Sequence, residues 1–252
     1  MKNQKPISSE KARKQRNRRR NAFLPLAIGT SGGVILATVA FIFFKEQADR
    51  VVEGKADAFD TSLMKFVHRY QGEAVDQGMI ALTQLGSHAV IGASAGITAI
   101  MMIRRNRRHD ALFVLMSTGG AIALNTILKN IFRRQRPKEM ARRIKLPSSH
   151  SFPSGHSLLS AATYPIVAHS LVQRRSTRTQ TFVMGLTGWT IVIVGFTRIY
   201  LGVHFPSDVL GGFAAGLGWL GLTAVSHSFV ERTADVDDDM AEQQAEMIGE
   251  RG

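Results

Sequence analysis

Long uncharged apolar runs, separated by short Arg-rich loops, limit what this chain can fold into more than any other feature. The segment Ala22–Phe44 carries no charge. At ~1.5 Å per residue in a helix it is long enough to cross a ~30 Å hydrocarbon core. Further crossings are expected over Met79–Ile103, Ala111–Leu128, His156–Val172, Thr181–Phe196 and Val209–Val225. Lipid offers no water to satisfy backbone polar groups, so these runs read as helices and the fold as all-α, a bundle of six transmembrane helices. The average composition hides this segregation, with 44% hydrophobic residues and a mean hydropathy of −0.01. The chain has no cysteine, which excludes disulfides, thiolate chemistry and Cys-based zinc sites.

The two ends differ in sign. Residues 1–20 are rich in Lys and Arg, ending in Arg18-Arg19-Arg20, and read as a disordered basic cytoplasmic tail that fixes orientation and meets anionic lipid. Residues 227–252 are acidic and read as a solvated or disordered cytoplasmic tail, leaving 21–226 as the membrane domain. The net charge of +13 is accordingly ascribed to the membrane rather than to nucleic acid. With the N-terminus inside, the Arg-rich loops at 104–109 and 174–178 also lie inside, and 45–77, 129–155 and 197–208 share the outer face. Within 45–77, Phe59, Leu63, Phe66, Val67 and Tyr70 recur at helical spacing, as in an amphipathic helix on the membrane surface, with His68 an ordinary surface histidine. Gly212 and Gly216 form a G-x-x-x-G pair, read as close packing inside the bundle rather than a dimer contact.

One outer segment breaks the charge rule. Between Lys129 and His156 stand Lys129, Arg133, Arg134, Arg136, Lys138, Arg142, Arg143 and Lys145, opposed by Glu139 alone. Like charges so crowded need solvent or an anion, and a bound phosphate would serve. The same face carries Pro153-Ser154-Gly155-His156 and the run Thr197-Arg198…His204…Asp208. Each has a plain structural reading when taken singly. Basic side chains snorkel at helix ends, Ser154 makes a good N-cap, and His204 can hydrogen-bond Asp208 one turn on. Their convergence on one face points to a site.

These residues carry a resemblance. Lys129…Arg136-Pro137, Pro153-Ser154-Gly155-His156 and Arg198…His204…Asp208 match in order and spacing the signature K-x6-R-P, P-S-G-H, S-R-x5-H-x3-D. That is the signature of the type 2 phosphatidic acid phosphatase (PAP2) superfamily, which also holds bacterial acid phosphatases and vanadium haloperoxidases. The chain resembles the integral-membrane bacterial lipid phosphatase branch over roughly residues 59–226. Thr197 replaces the usual Ser and keeps the hydroxyl.

The resemblance implies a PAP2-like helical core, and residue chemistry agrees with the roles it implies. Arg136 and Arg198 are each expected to clamp two phosphate oxygens through a planar fork, with Lys129 as a point charge. Ser154 and Gly155 would hold the anion at a helix N-terminus, where Gly155 permits close backbone approach. His204 would attack phosphorus and form a phosphohistidine, with Asp208 fixing its tautomer. His156 would protonate the leaving oxygen and then activate water, and an ordinary histidine pKa of ~6.5 suits both of these roles.

The expected function is a membrane phosphatase of the inner cell membrane, its site on the extracytoplasmic face. It would hydrolyse a lipid phosphate or diphosphate such as undecaprenyl diphosphate, phosphatidylglycerophosphate, phosphatidic acid or diacylglycerol diphosphate. The expected partners are that lipid and the bilayer, with no cofactor and no metal. A metal site built on His156, His204 and Asp208 is disfavoured, because three neighbouring cations repel a divalent ion and a single carboxylate is on offer. A phosphotransferase using the same phosphohistidine is an alternative within the family. A non-catalytic transporter or scaffold binding phospholipid anions is the alternative outside it. His88, His109, His150 and His169 receive no role.

Overall fold

The computed structural model describes residues 30–137, 144 and 149–249, with side chains through His227. The basic tail and Lys138, Arg142, Arg143 and Lys145 lie outside the described residues. Among the described residues are eight α-helices: α1 Thr30–Val52, α2 Asp57–His68, α3 Glu73–Thr83, α4 His88–Arg104, α5 Arg108–Phe132, α6 Gly155–Val172, α7 Thr177–Tyr200 and α8 Pro206–Gly249.

Four helical segments are long and apolar enough to cross a bilayer: Ser31–Val52, Arg108–Phe132, Thr177–Tyr200 and Pro206–His227. Their outward faces show Ile35, Phe41, Met116, Phe182 and Trp189 to the surroundings. Water would penalise such a surface and lipid does not. The protein is thus a multi-pass membrane protein.

Two of the six expected crossings differ from expectation. The run Met79–Ile103 is broken. α3 and α4 meet at a 46° bend through a 3₁₀ turn at Gln84–Gly86, and count as one further crossing only if taken together. Ser87 restarts the helix as N-cap by accepting from the Val90 N–H. At the bend a Cβ on Gly86 would stand 2.4 Å from Val194 and 2.9 Å from the His156 ring, so the chain there must lack a side chain.

The run His156–Val172 does form a helix, α6, but it is not apolar enough to be counted with the other spans. It is the central helix, touching α4, α5, α7 and α8. Ser157, Ser160, Thr163 and Ser170 are buried along it. Ser160 returns its hydroxyl hydrogen to the His156 carbonyl at 2.6 Å, so helix-internal bonds satisfy part of this polarity.

Small residues let α8 approach α6. A Cβ on Gly212 would lie 2.6 Å from the Ser154 carbonyl oxygen, and one on Gly216 would lie 2.4 Å from that of Leu158. The G-x-x-x-G pair therefore packs within the bundle, as expected. Farther along, α8 runs on as helix to Gly249. The acidic segment was expected to be disordered. Its Ala, Glu, Gln and Met residues are good helix formers.

The expected surface helix is α2. It buries Met64 and Val67 against Tyr200, Leu201 and Val203, and exposes Phe59 and Phe66. His68 is not free at the surface: its Nε2 lies 3.2 Å from the Ile199 carbonyl oxygen.

Candidate active site

Three helix ends converge on one side of α6. Lys129 lies in the last turn of α5, Arg198 in the last turn of α7, and Asp208 in the first turn of α8. Arg133 ends α5 in the left-handed conformation, at φ 47°, which turns the chain so that Arg134 and Arg136 point back into the bundle.

His204 and Asp208 are brought together. His204 Nδ1 lies 3.3 Å from Asp208 Oδ2, and Arg136 Nη1 lies 2.9 Å from His204 Nε2. A guanidinium can only donate, so Nε2 is the accepting nitrogen and Nδ1 carries the hydrogen, donated to Asp208. Burial, reinforced by Arg136 and Lys129, outweighs the pull of Asp208 and pushes the His204 pKa down to about 3. His204 is neutral at physiological pH, with its lone pair facing the cations.

Arg136 also anchors the surrounding backbone. It donates to the carbonyls of Val203 at 2.7 Å and Ser149 at 2.9 Å. Lys129 donates to the His150 and Ser151 carbonyls. Arg198 is buried, donates to Thr83 Oγ1 at 2.7 Å, and leaves its Nε without a partner among the described residues.

Ser154 occupies the N-cap position of α6 as expected, yet its side chain makes no cap bond and accepts instead from Ser157 Oγ at 3.0 Å. The first turn of α6 is thereby left open to another acceptor. His156 stands in that turn, half-buried against Gly86, with Arg198, His204 and His88 as charged or titratable neighbours. Thr197 bonds within its own helix, to the Val194 carbonyl at 2.6 Å, outside the cluster.

Several participants escaped the sequence reading. Ser151 donates to Asp208 Oδ2, which also accepts from the Phe205 N–H at 2.9 Å. Asn125, one turn before Lys129, lies against Gly155 with its Oδ1 unpartnered among the described residues. Arg134, expected to meet headgroups, instead pairs at 2.8 Å with both Asp208 and the buried Asp60. Asp60 is one of two carboxylates in the first turn of α2, with Asp57, and nothing local singles it out. Its partners lie too far along the chain to be read. His150 contributes only its carbonyl to the hydrogen bonds described, and His109 and His169 belong to the far end of the bundle, on α5 and α6.

Among the described residues the cluster is out of balance. Lys129, Arg134, Arg136 and Arg198 face two fully buried carboxylates, Asp60 and Asp208, with the exposed Asp57 at 3.5 Å from Arg134 as a third. Buried charge without a counter-charge is costly, and an anion bearing two charges would neutralise it.

Comparison with known proteins agrees with this geometry. Residues 110–232 match the family model described as PAP2 superfamily. Phosphatidylglycerophosphatase B of Bacillus subtilis is 33% identical over 179 residues, covering 70% of this chain and 87% of that protein. Undecaprenyl-diphosphatase of Sulfolobus acidocaldarius is 27% identical over 172 residues, 66% of this chain and 77% of the relative. The crystal structure of a transmembrane PAP2 type phosphatidylglycerolphosphate phosphatase from Bacillus subtilis superposes with a TM-score of 0.71 at 32% identity, covering 78% of this chain and 96% of that one. With its three motifs gathered at one end of a helical membrane bundle, the chain belongs to the PAP2 superfamily, in the branch of the bacterial lipid phosphatases.

Proposed function

We propose that this protein hydrolyses a lipid phosphate or diphosphate through a phosphohistidine on His204. The three buried cations Lys129, Arg136 and Arg198, none of them ion-paired to a carboxylate among the described residues, carry the reading, because a phosphate monoester dianion supplies counter-charge. On entry, the phosphate takes over donors of Arg136, Arg198 and Lys129 and the open first turn of α6. Removing Arg136 from Nε2 frees the lone pair of His204. Nε2 then attacks phosphorus in line as the bond to the lipid oxygen breaks. The cations stabilise charge growing on the equatorial oxygens. His156 gives a proton to the leaving oxygen, and the lipid alcohol or lipid monophosphate departs. Water then attacks the phosphohistidine, losing its proton to His156, and inorganic phosphate leaves with His204 neutral again. The positive imidazole formed in the first step is held by Asp208.

The reaction needs no metal ion, because the cations of the chain perform the charge stabilisation. Its lipid substrate keeps its tail in the bilayer while the headgroup reaches the site. With the bent α3–α4 pair and α6 taken as crossings and the N-terminus inside, six crossings support a site on the extracytoplasmic face of the cell membrane. The activities for which the relatives are named, on phosphatidylglycerophosphate and undecaprenyl diphosphate, make these two lipids the first substrates to try.

The test is phosphate release from a panel of polyprenyl and glycerolipid phosphates in liposomes, with and without chelator. Release should be unaffected by chelation and lost in His204→Ala. Equal release by His204→Ala, or its abolition by chelator, overturns the reading.

A further inference from the structure

The helix that lies on the membrane surface also reaches the back of the nucleophile. Asp60 of α2 is fully buried, on the face opposite Phe59 and Phe66. Its Oδ1 accepts the Ser207 N–H at 2.8 Å, and its Oδ2 accepts the Ser207 hydroxyl at 2.5 Å and Arg134 Nη2 at 2.8 Å. Asp60 thus caps the first turn of α8 from another helix, where a carboxylate is favoured by the helix dipole. Arg134 carries the connection onward, donating through Nη1 to Asp208 Oδ1 at 2.8 Å and to Ser207 Oγ at 2.7 Å. Its guanidinium is also held over the Phe205 ring, 4.3 Å from the centroid. Burial works against the charge on Arg134, but Asp208 and Asp60 prevail and raise its pKa, so it is a fixed cation.

The division of labour at Asp208 is the important consequence. Oδ1 is occupied by Arg134, whereas Oδ2 receives Ser151, Phe205 N–H and His204 Nδ1. Without Arg134, Oδ1 becomes a buried, unpaired acceptor, and the carboxylate can rotate away from the imidazole.

We propose that Asp60 and Arg134 are positioning residues for His204: the Asp60–Arg134–Asp208 bridge fixes the carboxylate that holds the imidazole, and ties it to the surface helix α2. This rests on His204 being the nucleophile. Neither residue touches substrate, so their loss is expected in kcat and not in KM.

The experiment compares Asp60→Asn, Arg134→Gln and Arg134→Lys with wild type, with Arg133→Asn as a neighbouring control and His204→Ala as the reference for the chemistry. Folded enzyme is counted by size-exclusion profile and thermal midpoint, and kcat is expressed per folded molecule. Arg134→Gln and Asp60→Asn should lower kcat about 10- to 100-fold, the range for partners one step behind a reacting group, with KM within about twofold. Arg134→Lys should recover part of the loss, since a point charge keeps one of the two bridges.

Wild-type kcat in folded Asp60→Asn and Arg134→Lys, with only the thermal midpoint lowered, would overturn the proposal. These two variants decide the matter if Arg134→Gln does not fold. If His204→Ala remains active, the phosphohistidine reading fails instead, and the two failures are thereby distinguished.

Discussion

Arg136 donates to Nε2 of His204 across 2.9 Å, so the nitrogen that carries the lone pair is turned toward this buried cation. The contact fixes the tautomer. It also means that substrate must compete with His204 for the same guanidinium.

Arg136 should accordingly be worth more than its charge. Arg136→Lys loses the planar fork and the bonds to Ser149 and Val203, so it is not a conservative change here. A fall in kcat/KM of about 10²- to 10³-fold is expected, corresponding to about 2.7–4 kcal/mol for one lost oxyanion donor. Steady-state kinetics on a lipid phosphate checks it, and a loss under fivefold would contradict the clamp.

The depressed pKa of His204 gives a pH signature. The group is neutral in the folded protein down to about pH 3. In the unfolded chain it takes up a proton near ~6.5. The unfolded state therefore binds the proton first. The stability contributed by the neutral group is complete above ~6.5 and declines as pH falls from there toward about 3. The ¹⁵N shifts of His204 in the unliganded protein should report a neutral ring protonated at Nδ1 at pH 5. An imidazolium at that pH would contradict the geometry.

The packing of α6 on α8 offers a stability test. Gly216→Ala puts a Cβ 2.4 Å from the Leu158 carbonyl oxygen, whereas Gly188→Ala on α7 meets nothing within 4 Å. The first should cost about 1–3 kcal/mol through overpacking. The second should be neutral or gain up to ~1 kcal/mol from helix propensity. Thermal midpoints in detergent rank the two, and the reverse order would refute the packing.

Orientation can be read from single cysteines, because the natural chain has none. Lys55→Cys, before α2, should react with a membrane-impermeant maleimide on intact cells. Arg105→Cys, after α4, should react only after permeabilisation. Labelling of the second alone on intact cells would invert the proposed topology.

Legibility in the sequence followed distance along the chain. Lys129 and Arg136 flank one helix end, and His204 and Asp208 are one turn apart, so local spacing reveals both pairs. Asp60 and Ser207 are 147 residues apart, and Thr83 and Arg198 are 115 apart, so nothing local announces either contact. Arg134 and Arg136 look equivalent in sequence. The left-handed turn at Arg133 sends one behind Asp208 and the other in front of His204. Hydropathy found the lipid-facing helices, whose apolar residues must be exposed. α6 is less apolar than these, because a central helix buried by other helices need not be apolar all round. The bend after Thr83 escaped as well, since the need for Gly86 arises from Val194 and His156, residues remote in sequence.

The central claim is phosphoryl transfer through His204, and the most direct measurement is the stereochemical course at phosphorus. A lipid phosphate made chiral with oxygen isotopes and sulfur is hydrolysed in labelled water, and the configuration of the released thiophosphate is determined. Two successive in-line displacements, first by His204 and then by water, should give net retention. Net inversion would mean that water attacks the lipid phosphate directly, and would contradict the phosphohistidine.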